Sequence, residues 1–131
     1  MIVSDWYQNL QKPFWAPPAF VFGPIWSFLY ALILVSYGFV FYQFFKGKIS
    51  FFVLLPFILN LIFNFAFTPI QFVLKDNTLA VFDILLVLFT LIWAIRVIYP
   101  KYKWVTLINL PYLLWVIIAT TLQISITYLN R

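Results

Sequence analysis

Four apolar runs, each about 20 residues and so long enough to cross the hydrocarbon core of a bilayer, take up most of this chain of 131 residues. They leave little for a water-soluble domain. The chain is 66% hydrophobic and 8% charged, too few polar groups to cover a globular surface in water. Its solvent is therefore lipid, and the expectation is one all-α integral membrane domain over residues 1–131.

The runs are bounded by proline and charge. Spans are expected at about 24–45, 51–74, 79–98 and 104–129. Pro24 opens the first, in a turn where its missing N–H costs nothing, and Lys46, Gly47 and Lys48 close it. Pro56 and Pro69 lie near the two ends of the second, where kinks are expected. Lys75, Asp76 and Asn77 form the next turn, and Pro100 with Lys101 and Lys103 ends the third span. The fourth contains Pro111. Connections this short make neighbouring helices antiparallel. Residues 1–23 are a Trp- and Pro-rich loop, too interrupted by Pro13, Pro17 and Pro18 to span, and without the charged and apolar regions of a signal peptide.

The chain has neither histidine nor cysteine, which removes disulfides, thiolate nucleophiles, imidazole bases and the commonest metal ligands. No obligatory cofactor and no metal site are expected. The net charge of +5 comes from Lys and Arg scattered over the connections, which makes no basic stripe for nucleic acid. It reads instead as topology. Lys46, Lys48, Arg96, Lys101 and Lys103 fall on one side, and Lys12, Lys75 and Arg131 on the other with Asp5 and Asp76. That bias puts the N-terminal loop and the C-terminus on the non-cytoplasmic side of a prokaryotic cell membrane.

Polar groups inside the spans carry the functional information, because an unpaired amide or carboxyl in hydrocarbon costs several kcal/mol. Asn60, Asn64, Phe67 and Gln71 recur every three or four residues and share one helix face, which must point inward. Asp83 lies about one turn inside the third span and suits either an interhelical hydrogen bond or a ligand contact. Trp26, Tyr30 and Tyr37 share a stripe on the first span, and Tyr112, Trp115 and Ala119 share one on the fourth, with Gln123 close by. Threading the spans antiparallel gathers Trp26, Phe67, Gln71 and Asp83 at the loop-side half, above Asn64 and Trp115. Aromatic walls, a few amides, one carboxyl and a stiff loop suit a flat, mostly apolar ligand. Packing and interface anchoring use aromatic stripes as well, and inward amides also serve as glue between helices.

The ordered run Trp6-Tyr7, Leu10, Lys12-Pro13, Trp15, Pro17-Pro18, Phe22, Pro24, Trp26 and Leu29-Tyr30 resembles the first loop and second helix of the TspO/MBR family, the tryptophan-rich sensory proteins related to the mitochondrial translocator protein. Leu59-Asn60, Asn64 and Phe67 resemble its third-helix motif, Asp83 its fourth-helix acid, and Pro111-Tyr112, Trp115, Ala119 and Leu122 its fifth-helix motif. Two departures stand out. Members usually have five helices and four are visible here, the one before the Trp-Tyr loop being missing. Leu122-Gln123 replaces the usual Leu-Asn pair.

The resemblance implies a TspO-like antiparallel bundle acting as a membrane receptor or sensor for porphyrins and related hydrophobic ligands, haem among them, and possible transport of these across the bilayer. Tyr7, Pro17 and Pro18 would form the lid, Trp26 and Trp115 the stacking walls, and Asn64, Phe67, Asp83 and Ala119 the lining. It also implies a homodimer and, in some members, light- and oxygen-dependent porphyrin breakdown at the two tryptophans. The alternative is a non-catalytic bundle subunit of a larger membrane complex. Leu122, Tyr128 and Arg131 fit a permissive sterol-recognition spacing, although Tyr128 and Arg131 also suit interface anchors.

Overall fold

The computed structural model describes residues 13, 15–16, 22–68, 70 and 77–129. These residues form five helices: α1 (Phe22–Phe45), α2 (Phe51–Thr68), α3 (Asn77–Ile98), α4 (Lys103–Ile108) and α5 (Leu110–Leu129). Among the described residues α1, α3 and the α4–α5 pair are long and apolar enough to cross a membrane, and α2 is a shorter apolar helix. At 1.5 Å per residue, the 18 residues of α2 reach about 27 Å. The expected second span runs on to residue 74, and that continuation lies outside the described residues apart from Ile70.

Each helix turns a stripe inward at the spacing a 3.6-residue period requires. On α1 the stripe is Trp26, Leu29, Ile33, Tyr37 and Val40, and on α2 it is Leu54, Phe57, Asn60 and Asn64. α3 is the hub and packs along both α2 and α5. Its Ala80 and Ala94 are fully buried, and small side chains there let neighbouring backbones come close. The outer faces carry large apolar groups. Phe45 and Phe52 are 78% and 77% exposed, an arrangement stable only where the surroundings are hydrocarbon or its boundary.

The fourth span, expected as one helix, is broken at Asn109 into α4 and α5. Pro111 causes the break, because it has no N–H for the Leu107 carbonyl and its ring disfavours helical geometry just before it. Asn109 repairs much of the damage. Its backbone N–H bonds the Thr106 carbonyl at 3.2 Å, which strands the Val105 carbonyl that a regular helix would have used. The Asn109 side-chain Nδ2 donates to that carbonyl at 2.8 Å, and the Asn109 carbonyl accepts from Leu113 N–H at 2.9 Å to restart the helix.

The end of α1 is a second local device. The Lys48 N–H bonds the Gln43 carbonyl and the Gly47 N–H bonds the Phe44 carbonyl, both at 2.9 Å. This pair is the Schellman arrangement, which needs a left-handed residue, and Gly47 supplies it at φ 74°. A Cβ at Gly47 would meet nothing within 4 Å, so only the backbone conformation penalises a larger residue. Gly47→Ala is expected to lower stability by about 1–2 kcal/mol, with Gly47→Asn less affected, as measured by reversible unfolding in mixed micelles.

Candidate functional site

The centre of the bundle is a hydrogen-bonded network built on Asn60, which has no exposed surface. An amide has two donor hydrogens and two acceptor positions, and Asn60 uses them all. Its Oδ1 accepts from the Tyr37 hydroxyl at 2.9 Å and the Tyr112 hydroxyl at 3.1 Å. Its Nδ2 donates to the Val87 carbonyl at 3.0 Å and to Thr90 Oγ1 at 3.2 Å. One side chain on α2 thereby ties α1, α3 and α5 together. Thr90 can accept because its own hydrogen is shared between the Leu86 and Val87 carbonyls, at 2.8 and 3.1 Å.

One turn along α2, Asn64 extends the network toward the loop-side end. Its Nδ2 donates to the Tyr112 hydroxyl, and its Oδ1 accepts a long bond of 3.4 Å from the Tyr30 hydroxyl. Tyr30 in turn lies beside Trp26, with ring centroids 5.5 Å apart. Trp26, Tyr30, Asn60, Asn64 and Tyr112 are thus brought into one connected set. Phe67, Trp115 and Ala119 are half-buried, packed against the core. Asp83 is buried, and its Oδ2 has no hydrogen-bond partner among the described residues. Tyr7, Pro17, Pro18, Gln71 and Arg131 lie outside the described residues.

Two further polar links were not evident from sequence. Asn109 Nδ2 donates to Ser36 Oγ at 3.0 Å, and Ser36 donates to the Leu32 carbonyl at 2.8 Å, so the helix break is also a contact with α1. An Asn two residues before a proline inside an apolar run was the available signal. At the opposite end Gln123 Nε2 reaches the Asn77 side chain at 3.3 Å and its carbonyl at 3.4 Å. Thr127 adds a bond to that carbonyl at 3.1 Å. The longer amide at position 123 therefore fastens the C-terminal half of α5 to the start of α3. In the sterol-like pattern Leu122 points inward and Tyr128 outward.

The described residues also line a lateral groove of about 480 Å³ between α1 and α2. Its walls include Tyr30, Ile33, Tyr37, Phe41, Leu61 and Phe65, and its Tyr30 and Phe65 rings are 6.3 Å apart. Tyr30 and Tyr37 consequently face two ways, their rings to the groove and their hydroxyls to the interior network. No group of three or more acids, His or Cys able to hold a metal occurs among the described residues.

A bundle of apolar helices with lipid-facing aromatics outside and a hydrogen-bonded amide network inside defines a polytopic α-helical membrane protein. More narrowly, the chain belongs to the TspO/MBR family, whose family model matches residues 1–129. It is 39% identical over 129 residues to the uncharacterized membrane protein YtaB of Bacillus subtilis, covering 97% of this chain and 81% of that one. It is 38% identical over 130 residues to the tryptophan-rich protein TspO of Bacillus cereus, covering 98% and 83%. The translocator protein of Homo sapiens is 33% identical over 127 residues, covering 84% of this chain and 73% of that one.

Removing the hub tests the network. Asn60→Leu is expected to destabilise the bundle by about 2–3 kcal/mol, taking roughly 0.6 kcal/mol for each interhelical bond, and Tyr37→Phe by one such bond. The double variant should cost less than the two single losses added together, because both remove the same hydrogen bond. Unfolding in mixed micelles reads all three.

Proposed function

We propose that this protein is a membrane receptor that binds porphyrins and related flat hydrophobic ligands at the loop-side end of the bundle. The single observation that supports this reading most is Asp83, a buried carboxyl whose Oδ2 lacks a partner among the described residues, at the same end of the bundle as the buried Trp26 indole. A polar atom left unpaired in an apolar interior is costly, so a site that retains one has a use for it. A porphyrin such as protoporphyrin IX is an apolar disc with propionic acid groups at one edge. Asp83 would hydrogen-bond to such an edge group while Trp26 and Trp115 stack on the ring faces. Membership of a family whose relatives are named translocator and sensory proteins supports the same reading.

In this reading the porphyrin is a ligand and not a resident cofactor, and Asn60, Asn64 and Tyr112 hold the walls in place without contacting it. The bias of five cations to one end supports an orientation with the ligand-binding end on the non-cytoplasmic side. A homodimer is the assembly we propose, through the lipid-facing apolar surface.

The test is titration of protoporphyrin IX into the purified full chain, followed by the shift of the porphyrin's own absorption band. That readout does not depend on counting tryptophans. Trp26→Phe with Trp115→Phe is expected to weaken binding about tenfold, from roughly 0.5–1.5 kcal/mol per aromatic contact, and Asp83→Leu to weaken it while keeping helicity. Unchanged affinity in both variants would remove these residues from the binding site. Illuminating the same complexes with and without oxygen separates binding from breakdown, because breakdown requires bleaching that depends on the two indoles.

A further inference from the structure

One end of the bundle gathers five exposed cations and, among the described residues, no acid. Lys46 and Lys48 lie in the connection from α1 to α2, Arg96 in the last turn of α3, Lys101 between α3 and α4, and Lys103 at the first residue of α4. The chain has only three acidic residues, and these are Asp5, Asp76 and Asp83, all in other segments. No carboxylate therefore competes for these ammonium groups within their own loops.

The two loops are also fastened to each other. The Tyr102 hydroxyl donates to Gln43 Oε1 at 3.2 Å, one turn before Lys46. Its ring packs edge-on against Phe39 with centroids 4.9 Å apart. Lys101 and Lys103 flank Tyr102, so this contact holds their backbone beside the end of α1. Two of the cations rest on exposed tyrosines. Lys46 Nζ is 5.1 Å from the Tyr42 ring centre, and Lys103 Nζ is 5.8 Å from that of Tyr99. Tyrosines that end apolar helices sit at headgroup depth, so the ammonium groups laid on them are held at that level rather than projecting into water.

We propose that the two loops form one composite docking face for the headgroups of anionic phospholipids, with Tyr102 as the clasp that brings the two halves together. Charge complementarity selects the partner. Phosphatidylcholine offers the same phosphate beside its own quaternary ammonium, whereas phosphatidylglycerol offers the phosphate uncompensated. A cation near such a surface contributes about fivefold in preference, and the effect weakens as the Debye length falls from about 10 Å at 0.1 M salt to about 3 Å at 1 M.

The experiment uses the full chain in mild detergent, mixed with equimolar phosphatidylglycerol and phosphatidylcholine of matched acyl chains, and counts retained lipids by native mass spectrometry. Phosphatidylglycerol is expected in several-fold excess at low salt, and the excess should shrink at 1 M. Replacing Lys46, Lys48, Lys101 and Lys103 together by Gln should abolish the excess, and replacing them by Arg should preserve it, with helicity checked by circular dichroism. Tyr102→Leu, which leaves every charge in place, should reduce it. An excess that survives the four Gln substitutions overturns the proposal, and one untouched by Tyr102→Leu overturns the clasp. Displacement of the lipid by millimolar inorganic phosphate at constant ionic strength would assign the face to a soluble phosphate and overturn it as well.

Discussion

The fully satisfied amide of Asn60 is the interaction on which the rest of the bundle depends. Lipid tails are as apolar as leucine, so burying apolar surface gives membrane helices little reason to associate with one another. What remains is close packing and hydrogen bonding. Asn60 concentrates the second in one place, taking hydroxyls from α1 and α5 and giving hydrogens to α3. Each partner fixes the rotation of its helix, because a turn by one residue would carry Tyr37, Thr90 or Tyr112 out of reach.

The two ends of the bundle are held by different means. At one, Gln123 and Thr127 of α5 close on Asn77 at the start of α3. At the other, Tyr102 reaches Gln43 at 3.2 Å and Thr106 donates to the Ile95 carbonyl at 2.7 Å. Between them the buried polar side chains among the described residues are those of the Asn60 network, the Ser36–Asn109 contact, Asp83, and Thr120, which bonds within its own helix. This distribution places stiffness at the middle and at the rims. Asp83 differs from Thr90, the other buried polar side chain of α3, in having an oxygen without a hydrogen-bond partner among the described residues.

Much of the architecture was legible in the sequence because hydrocarbon is a stringent solvent. Proline, charge and run length marked the helices, and the described bounds of α1 and α3 lie within two residues of those expected. The inward face of α2 was legible from the spacing of Asn60 and Asn64, since an amide cannot face lipid. The break at Asn109 was not. Pro111 was visible, but whether a proline bends, breaks or simply starts a helix depends on who takes up the freed carbonyls, and here that partner is a side chain two residues away. Ser36 was equally silent, because a serine in a span can satisfy itself on its own helix, as it does at Leu32.

The sequence by itself determined that the chain lives in a membrane, how many apolar segments it offers and which faces of them turn inward. These follow from local quantities such as length, hydropathy and spacing. Only the tertiary structure decided which polar groups find one another, that Tyr30 and Tyr37 serve both the interior and the lateral groove, and that two separate basic loops meet through Tyr102. Such pairings depend on the rotation and height of helices far apart in sequence. A shift of one residue, about 100° and 1.5 Å, separates a hydrogen bond from a miss.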